Sequence, residues 1–202
     1  MPNIDLNYLS TVIGNLAGVP IRVFRGEEQT FYHSVVTLPK DPMTPYRKDI
    51  LGISSHIGYY ITPDFHYYGI VKSGDVTIVL GPSMQIRSDE QMLKELAFRC
   101  DVQSEDMEDF LIGMKSIIPM PLDSILMILC SVNYSLNGEK LGLEDLRIYD
   151  NEQEELRRHT EWQRAEQQFD AELSDEPQEI HNTLAAEQTI LNFVRRGDTT
   201  AL

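Results

Sequence analysis

Positive charge is scarce in this sequence. Lys and Arg number 17 against 32 Asp and Glu, which gives a formal net charge of −15 at pH 7. Because contacts to phosphate groups need clustered Lys and Arg, we expect no direct binding to DNA or to anionic membranes. The chain also lacks the roughly 18 consecutive apolar residues of a membrane span and the basic start of a secretory signal. These absences predict a cytoplasmic protein with no membrane partner.

The usual signatures of enzymes and metal sites are also missing. No GxSxG, GxxxxGK[ST] or GxGxxG sequence occurs, so the common nucleophile turn and phosphate-binding loops are not encoded. The five His residues are scattered, with no HxH or HxxxH pair beside a carboxylate. Two cysteines, Cys100 and Cys130, lack CxxC spacing and are predicted to be reduced and buried. We therefore expect no catalytic residue, no metal, no cofactor and no enzymatic activity.

Strand-forming residues are abundant between positions 57 and 82. Tyr, Ile, Val, Phe and Thr crowd this stretch, and breaks at residues 62–64 and 73–75 divide it into three segments of strand length. The pattern predicts three consecutive antiparallel strands. This block is the expected centre of a sheet.

The last two of these strands form a predicted hairpin whose turn is Ser73-Gly74. Such a turn places Gly69 opposite Ile78 and Tyr67 opposite Leu80. One face of the hairpin then carries Tyr67, Gly69, Val71, Val76, Ile78 and Leu80. The other carries His66, Tyr68, Ile70, Thr77 and Val79. Apolar residues on both faces need cover on both, or cover on one and a partner on the other. A three-residue loop with a bulge would shift the register by one and exchange the faces.

The chain is expected to begin with an amphipathic helix over residues 4–17. Leu6, Leu9, Ile13 and Leu16 recur at three- and four-residue spacing, and Asp5 is suited to the start of the helix. The apolar stripe predicts the side that packs on the core.

Two more strands and several helices complete the first 142 residues. The predicted segments are strands at 21–24 and 30–36 joined as a hairpin, a short helix at 44–53, and helices at 88–99, from 104, and at 122–136. The helix at 88–99 is expected to start with a capping box of Ser88 and Gln91. About five strands covered by helices make an α+β domain over residues 1–142.

A change of composition after Leu141 marks a predicted domain boundary. Residues 144–179 are rich in Glu, Gln and Asp with few apolar positions, which is typical of an exposed linker helix. A last helix is predicted over residues 180–196. Residues 143–202 are therefore interpreted as an acidic helical linker and a connector helix.

The aromatic residues of the central block suggest a binding site. A buried tyrosine hydroxyl needs a hydrogen-bond partner, and Gly69 leaves a gap in its strand that a ligand can approach. Small-molecule pockets are mostly apolar with a few polar groups. We predict a ligand site between the sheet and its covering helices, bordered by Tyr60, Tyr67, Gly69 and Ile78. The alternative interpretation is that the same cluster is tightly packed core.

Three stretches carry a resemblance to a known family. They are HYYGIVKSGDVTIVLGP at 66–82, PLDSILMILCSVNYSLNGEKL at 121–141, and AEQTILNFVRRGDTTAL at 186–202 after the acidic linker. Together they resemble the N-terminal regulatory half of AraC-family transcription regulators in which a PAS- or GAF-like sensor precedes the DNA-binding half. In PAS and GAF folds, helices pack over a curved antiparallel sheet.

The resemblance implies a regulatory domain that senses a small-molecule effector and dimerises. It implies contact with DNA only through a C-terminal helix-turn-helix domain that these 202 residues do not contain. The alternatives are a sensor module coupled to another output, such as a kinase or cyclase, or a stand-alone small-molecule-binding protein, because one fold serves many functions. The homodimer is also expected from the apolar sheet faces and from the two C-terminal helices, which have little core of their own.

Overall fold

The structure, a computed structural model, describes residues 4–146. It is an α+β fold built on one open, five-stranded antiparallel sheet. The strands are β1 Ile21–Arg25, β2 Glu28–His33, β3 Ile57–Ile61, β4 Tyr67–Ser73 and β5 Val76–Ser83. The helices are α1 Leu6–Ala17, α2 Arg47–Gly52, α3 Glu90–Arg99, α4 Met107–Ser116, α5 Leu122–Asn137 and α6 Leu143–Leu146, with short 3-10 turns at Thr44–Tyr46 and Ser104–Asp106. The predicted five strands and their order along the chain are confirmed.

The strands lie in the spatial order β2-β1-β5-β4-β3. The predicted hairpin of β1 and β2 is present, although β2 ends at His33, so Ser34, Val35 and Val36 are not part of it. Strand β5 lies between β1 and β4 and is buried along its whole length. Strand β5 therefore connects the β1–β2 hairpin to the β3–β4 pair.

The turn between β4 and β5 differs from its prediction. Ser73 pairs with Val76, so Gly74 and Asp75 form the two-residue turn, and Gly69 lies opposite Leu80 instead of Ile78. Gly74 takes a φ of 58°, which a hairpin turn of this length favours and glycine adopts without strain. Because the register moves by two residues in total, the predicted division into two faces is kept.

Both faces of the sheet are covered by this chain. On the face that carries Gly69, α5 packs on β4 and β3, and α1 packs on β1; we call it the α1/α5 face. On the opposite face α2 packs on β3 and β4; we call it the α2 face. The side chains of Ile70 and Val79 on the α2 face are fully buried. Of the two alternatives that the sequence left open, cover on both faces is therefore the one found within residues 4–146.

Helix α1 begins and ends at residues suited to those places. The Asp5 side chain accepts hydrogen bonds from the backbone N–H groups of Asn7 and Tyr8, both at 3.0 Å. Gly18 ends the helix with a φ of 67°, in the left-handed region that glycine favours. The helix is confirmed. It fully buries Ser10, Gly14 and Ala17, whereas Leu6 and Ile13 of the predicted stripe pack against the core only in part and Leu16 is exposed.

The capping box predicted for α3 is wrong. Asp89 is the N-cap, and its carboxylate accepts a hydrogen bond of 2.8 Å from the backbone N–H of Met92. The Ser88 hydroxyl instead lies 3.0 Å from Nε2 of His66. Ser88 thus connects the start of α3 to the residue that precedes β4.

The C-terminal predictions fall mostly outside the described residues. Helix α5 ends at Gly138, as its sequence predicts, and Leu146 of the short α6 is buried. The linker and connector helix predicted within 143–202 lie beyond α6, outside residues 4–146, so the boundary at residue 142 stays a prediction. No helix within residues 4–146 is long and apolar enough to cross a membrane.

Candidate functional site

The structure separates the four predicted ligand residues. Tyr67, Gly69 and Ile78 all lie on the α1/α5 face. Tyr60 pairs with Tyr68 on the opposite face, where its ring centroid lies 6.2 Å from that of Tyr46. The sequence pattern therefore identifies one shared face correctly for three residues and misplaces Tyr60, because its position in β3 depends on the pairing of β3 with β4.

The gap expected at Gly69 is filled by α5. A Cβ atom built at Gly69 would lie 2.7 Å from both Cδ atoms of Leu129. The side chain of Leu129 is itself fully buried. The expected open space at this position is therefore absent, and the ligand-binding roles of the four residues stay predictions.

The Tyr67 side chain retains one feature of the predicted site. Its hydroxyl is buried without a hydrogen bond, as is the hydroxyl of Ser83, its neighbour across the sheet. Burial raises the pKa of Tyr67 above its ordinary value, and the nearby Ser83 opposes the shift. The pair forms a small polar spot in an apolar interface.

A buried arginine on the α2 face, Arg22, makes several polar contacts within the described chain. Arg22 lies in β1 between Ile21 and Val23, and strand alternation turns its side chain away from the α1/α5 face. The side chain is fully buried. Its Nε donates to Oδ2 of Asp41 at 2.6 Å, and its Nη2 donates to Oδ1 at 2.5 Å. Such a two-point contact is how arginine recognises a planar carboxylate.

The remaining surroundings of Arg22 complete its coordination. Nη1 donates to the backbone carbonyl of Gly81. The guanidinium carbon lies 5.3 Å from the ring centroid of Tyr32 and 5.9 Å from that of Tyr68. Burial lowers the pKa of Arg22, the Asp41 carboxylate raises it with smaller contributions from Tyr68 and Tyr32, and the net shift is upward. The Arg22 guanidinium is therefore a buried, positively charged group held in one orientation by Asp41 and Gly81.

Asp41 and Tyr32 are the members of this cluster that reach the surface. The Asp41 side chain is 30% exposed, whereas that of Arg22 is not exposed at all. Asp41 lies in the irregular segment between β2 and the Thr44–Tyr46 turn, and it organises that turn. Its Oδ1 accepts from the backbone N–H of Met43, and its backbone carbonyl accepts from the Thr44 hydroxyl.

A second polar cluster lies at the other end of the same segment. The Tyr46 hydroxyl donates to Oδ2 of Asp64 at 2.9 Å, and the Arg99 guanidinium of α3 forms an ion pair with the same carboxylate. Burial raises the pKa of Tyr46 above its ordinary value, and the hydrogen bond to Asp64 adds to the shift. The segment from Asp41 to Tyr46 therefore connects β1 to α3.

The thiol beside these clusters is not an activated one. Burial raises the pKa of Cys100 to about 12, and the nearby carboxylates of Asp41 and Asp64 act in the same direction. A thiol in this state is protonated and a poor nucleophile at neutral pH. Cys100 and Cys130 are both free and buried, as the sequence predicts.

Two surface grooves lie away from the predicted ligand residues. One, of about 490 Å³, lies between the segment that follows β2 and α4. The other, of about 670 Å³, contains Arg47 and Lys48, and the Arg47 guanidinium lies 5.1 Å above the Phe24 ring. Within residues 4–146 no group of three His, Cys, Asp or Glu side chains has the placement of a metal site.

The sequence held a signal for Arg22 that pattern reasoning passed over. A strand that is covered on both faces is usually apolar along its whole length. Arg22, the second residue of the IRVF segment, is charged and therefore departs from that pattern. The strand order is needed to see that β1 is an interior strand.

Comparisons of the chain with protein-family models, with curated proteins and with solved structures gave no match.

Proposed function

We propose that this chain is a cytoplasmic, ligand-responsive and dimerising regulatory domain of PAS/GAF-like type, of the kind that precedes the DNA-binding half in AraC-family regulators. Its effector is a small anion that carries a carboxylate or phosphate group. Arg22 is the group that recognises the anion, and Asp41 occupies the same place when the effector is absent. The Arg22–Asp41 contact is the single observation that carries this proposal.

The architecture supports a sensing role. The resemblance implies an antiparallel sheet with helices packed over it, and the presence of such a sheet supports the proposal. The polar interior lies on the α2 face, under the segment between β2 and β3. A rigid strand thus supplies the recognition group, and an irregular segment covers it.

The chemistry of Arg22 supports an anionic effector. A guanidinium group can bind either a carboxylate or a phosphate group through two parallel hydrogen bonds. A buried ion pair contributes little net stability compared with well-packed apolar residues, so stability alone does not account for the Arg22–Asp41 pair. Because Asp41 is partly exposed, an anion from solution can reach the pair and compete with its carboxylate.

The contacts of Asp41 give the exchange a structural consequence. Release of the Asp41 carboxylate removes the hydrogen bond that its Oδ1 accepts from the backbone N–H of Met43, at the start of the Thr44–Tyr46 turn. The same segment carries Tyr46, which bonds the carboxylate that also holds Arg99 of α3. Displacement of one carboxylate therefore changes the link between the sheet and α3.

The experiment is a chemical-rescue measurement by thermal unfolding of the full chain. Asp41→Ala removes the internal carboxylate and leaves the guanidinium unpaired, so we expect a lower Tm than that of the wild type. Acetate or inorganic phosphate should restore part of the loss, because an anion that binds only the folded state stabilises it by mass action. We expect a larger Tm increase for Asp41→Ala than for the wild type.

The controls separate binding from general salt effects. Sodium chloride at the same ionic strength should give the smaller increase that charge screening alone produces. Arg22→Met in the Asp41→Ala background should abolish the specific response, and this double variant leaves no buried charge unpaired. An equal response to acetate and chloride in Asp41→Ala would refute anion recognition by Arg22.

A further inference from the structure

Helix α1 has an apolar face that the described chain covers only in part. Its small residues, Ser10, Gly14 and Ala17, pack against the sheet. On the far side, Tyr8 is 70% exposed and Leu16 is 83% exposed. Val12 lies between them, four residues from each, and is half-buried. Residues spaced by four lie along one side of a helix, so these three form a continuous stripe.

The stripe extends beyond the C-terminal end of α1. Gly18 contacts Ile118, since a Cβ at Gly18 would lie 3.0 Å from Cδ1 of that residue. Ile118 is 57% exposed. We call Tyr8, Val12, Leu16 and Ile118 the α1 patch. Contiguous apolar surface of this kind marks an interaction site more often than scattered exposed residues do.

Charge indicates which partner fits the α1 patch. The sequence of α1, LNYLSTVIGNLA, contains no charged residue, whereas the whole chain carries a formal net charge of −15. Two copies of this chain repel each other wherever their acidic surfaces meet. They approach without that penalty where neither surface is charged. A partner recognised through its own basic groups would find no carboxylate on α1.

The spacing of the stripe is also self-complementary. A twofold axis produces an interface in which one patch meets an identical patch in the opposite direction. If two α1 helices pack antiparallel with Val12 at the axis, Tyr8 lies against the partner's Leu16, because both are four residues from the centre. Each end of the pair then combines one aromatic with one branched aliphatic side chain.

We propose that the α1 patch is the homodimer interface of this protein, with two α1 helices packed antiparallel about an axis at Val12. This names the surface for the dimerisation part of the proposed function and rests on it to that extent. A helix of 12 residues is only about 18 Å long. The interface therefore belongs to the small class that buries less than about 1,200 Å² and gives weak, reversible dimers.

The first test is the molar mass of the full chain by light scattering at concentrations from about 1 to about 100 µM. We expect the wild type to approach the dimer mass as concentration rises. Leu16→Glu should shift the dissociation constant upward by about tenfold or more, because a carboxylate would be buried in the interface. Phe98→Glu is the matched control, since Phe98 of α3 is 84% exposed and lies outside the patch. It should leave the dimer intact.

The second test locates the axis by disulfide cross-linking. Val12→Cys should cross-link to itself under mild oxidation, because the two copies meet at that residue. Tyr8→Cys and Leu16→Cys should cross-link efficiently only when the two variants are mixed. Lys94→Cys on α3 is the control and should remain uncross-linked. The native Cys100 and Cys130 are buried and contribute little background.

Each other outcome overturns the proposal. A wild type that stays monomeric over the whole range means that another segment of the chain, or another protein, covers the patch. A dimer that persists in Leu16→Glu means that the copies associate elsewhere, for example through the exposed edge strand β2. The acetate response of Asp41→Ala, measured in the monomeric Leu16→Glu background, reports on anion recognition separately. Failure of one proposal is therefore distinguishable from failure of the other.

Discussion

Leu129 of α5 packs directly onto Gly69 of β4. Both of its Cδ atoms lie 2.7 Å from the point that a Cβ atom at Gly69 would occupy. Real side chains do not approach that closely, so only glycine lets α5 lie at this distance from the sheet. The contact fixes the separation of α5 from β4 at the centre of the α1/α5 face.

We expect Gly69→Val to destabilise the protein by about 1–3 kcal/mol, because it overpacks an interface with no free space. Equilibrium unfolding in urea measures the change in the free energy of unfolding. Gly58→Val is the matched control on the neighbouring strand β3. A Cβ there meets only Cγ2 of Ile53, at 3.4 Å, so this substitution should have a smaller effect.

A double-mutant cycle tests the stated cause. Leu129→Ala alone should cost about 2–5 kcal/mol through the cavity that it leaves. Combined with Gly69→Val, the loss should be smaller than the sum of the two single losses, because valine then fills space that Leu129 vacates. Strict additivity would show that the contact between residues 69 and 129 is not the source of the effect.

His66 makes stability depend on pH. Its side chain is 1% exposed, Nδ1 is buried without a partner, and Nε2 lies beside the Ser88 hydroxyl. Burial lowers the pKa of His66 to about 4, with Arg99 acting in the same direction and Asp64 opposing both. The unfolded chain binds this proton near pH 6.5, so the free energy of unfolding falls as pH decreases from about 6.5 to about 4.

We expect His66 to account for roughly 2 kcal/mol of lost stability between pH 7 and pH 5, a window above the range in which most carboxylates titrate. His66→Gln cannot take up a proton, so its free energy of unfolding should change less over that window than that of the wild type. Urea titrations at several pH values measure both slopes. Identical slopes would mean that His66 binds its proton equally well in the folded and unfolded chains.

Gly138 at the end of α5 offers a test of backbone strain without a packing change. Its φ is 70°, and a Cβ there would meet no atom within 4 Å. We expect Gly138→Ala to cost about 1–2 kcal/mol, because other L-residues are disfavoured in the left-handed region. Gly52 of α2 also has open space but an ordinary φ, so Gly52→Ala should be neutral or stabilising by up to about 1 kcal/mol. Equal effects in urea unfolding would contradict a conformational origin.

Local signals were sufficient for the elements and several of their ends. Asp5 and Gly18 at the ends of α1, Thr44-Pro45 before α2, and Gly138 after α5 act on adjacent backbone groups, so their roles follow from short sequence distances. The predicted Ser88 capping box is a local signal that does not form, because the Ser88 side chain contacts a residue distant in sequence. The Ser88 hydroxyl lies beside His66, 22 residues away in sequence, and Asp89 caps the helix instead.

The candidate sites depended on contacts that no local pattern encodes. The apolar stripe of Leu6, Leu9, Ile13 and Leu16 predicted the buried side of α1, yet the helix fully buries its small residues, buries Leu6 and Ile13 only in part and leaves Leu16 outward. A helix that is apolar on most of its circumference has two possible buried sides, and close packing on β1 selects the side with the smallest side chains. The periodicity is the same for both choices.

The sequence by itself determined the class of fold, because hydrophobic periodicity, turn residues and helix caps act over a few residues at a time. It placed five strands and their covering helices in the right order. Only the tertiary structure decided that Leu129 fills the space at Gly69, that Tyr60 lies on the face opposite Tyr67, and that Arg22 meets Asp41. Each of these contacts joins residues far apart in the chain, and each depends on strand order and helix position, which arise from the packing of the whole domain.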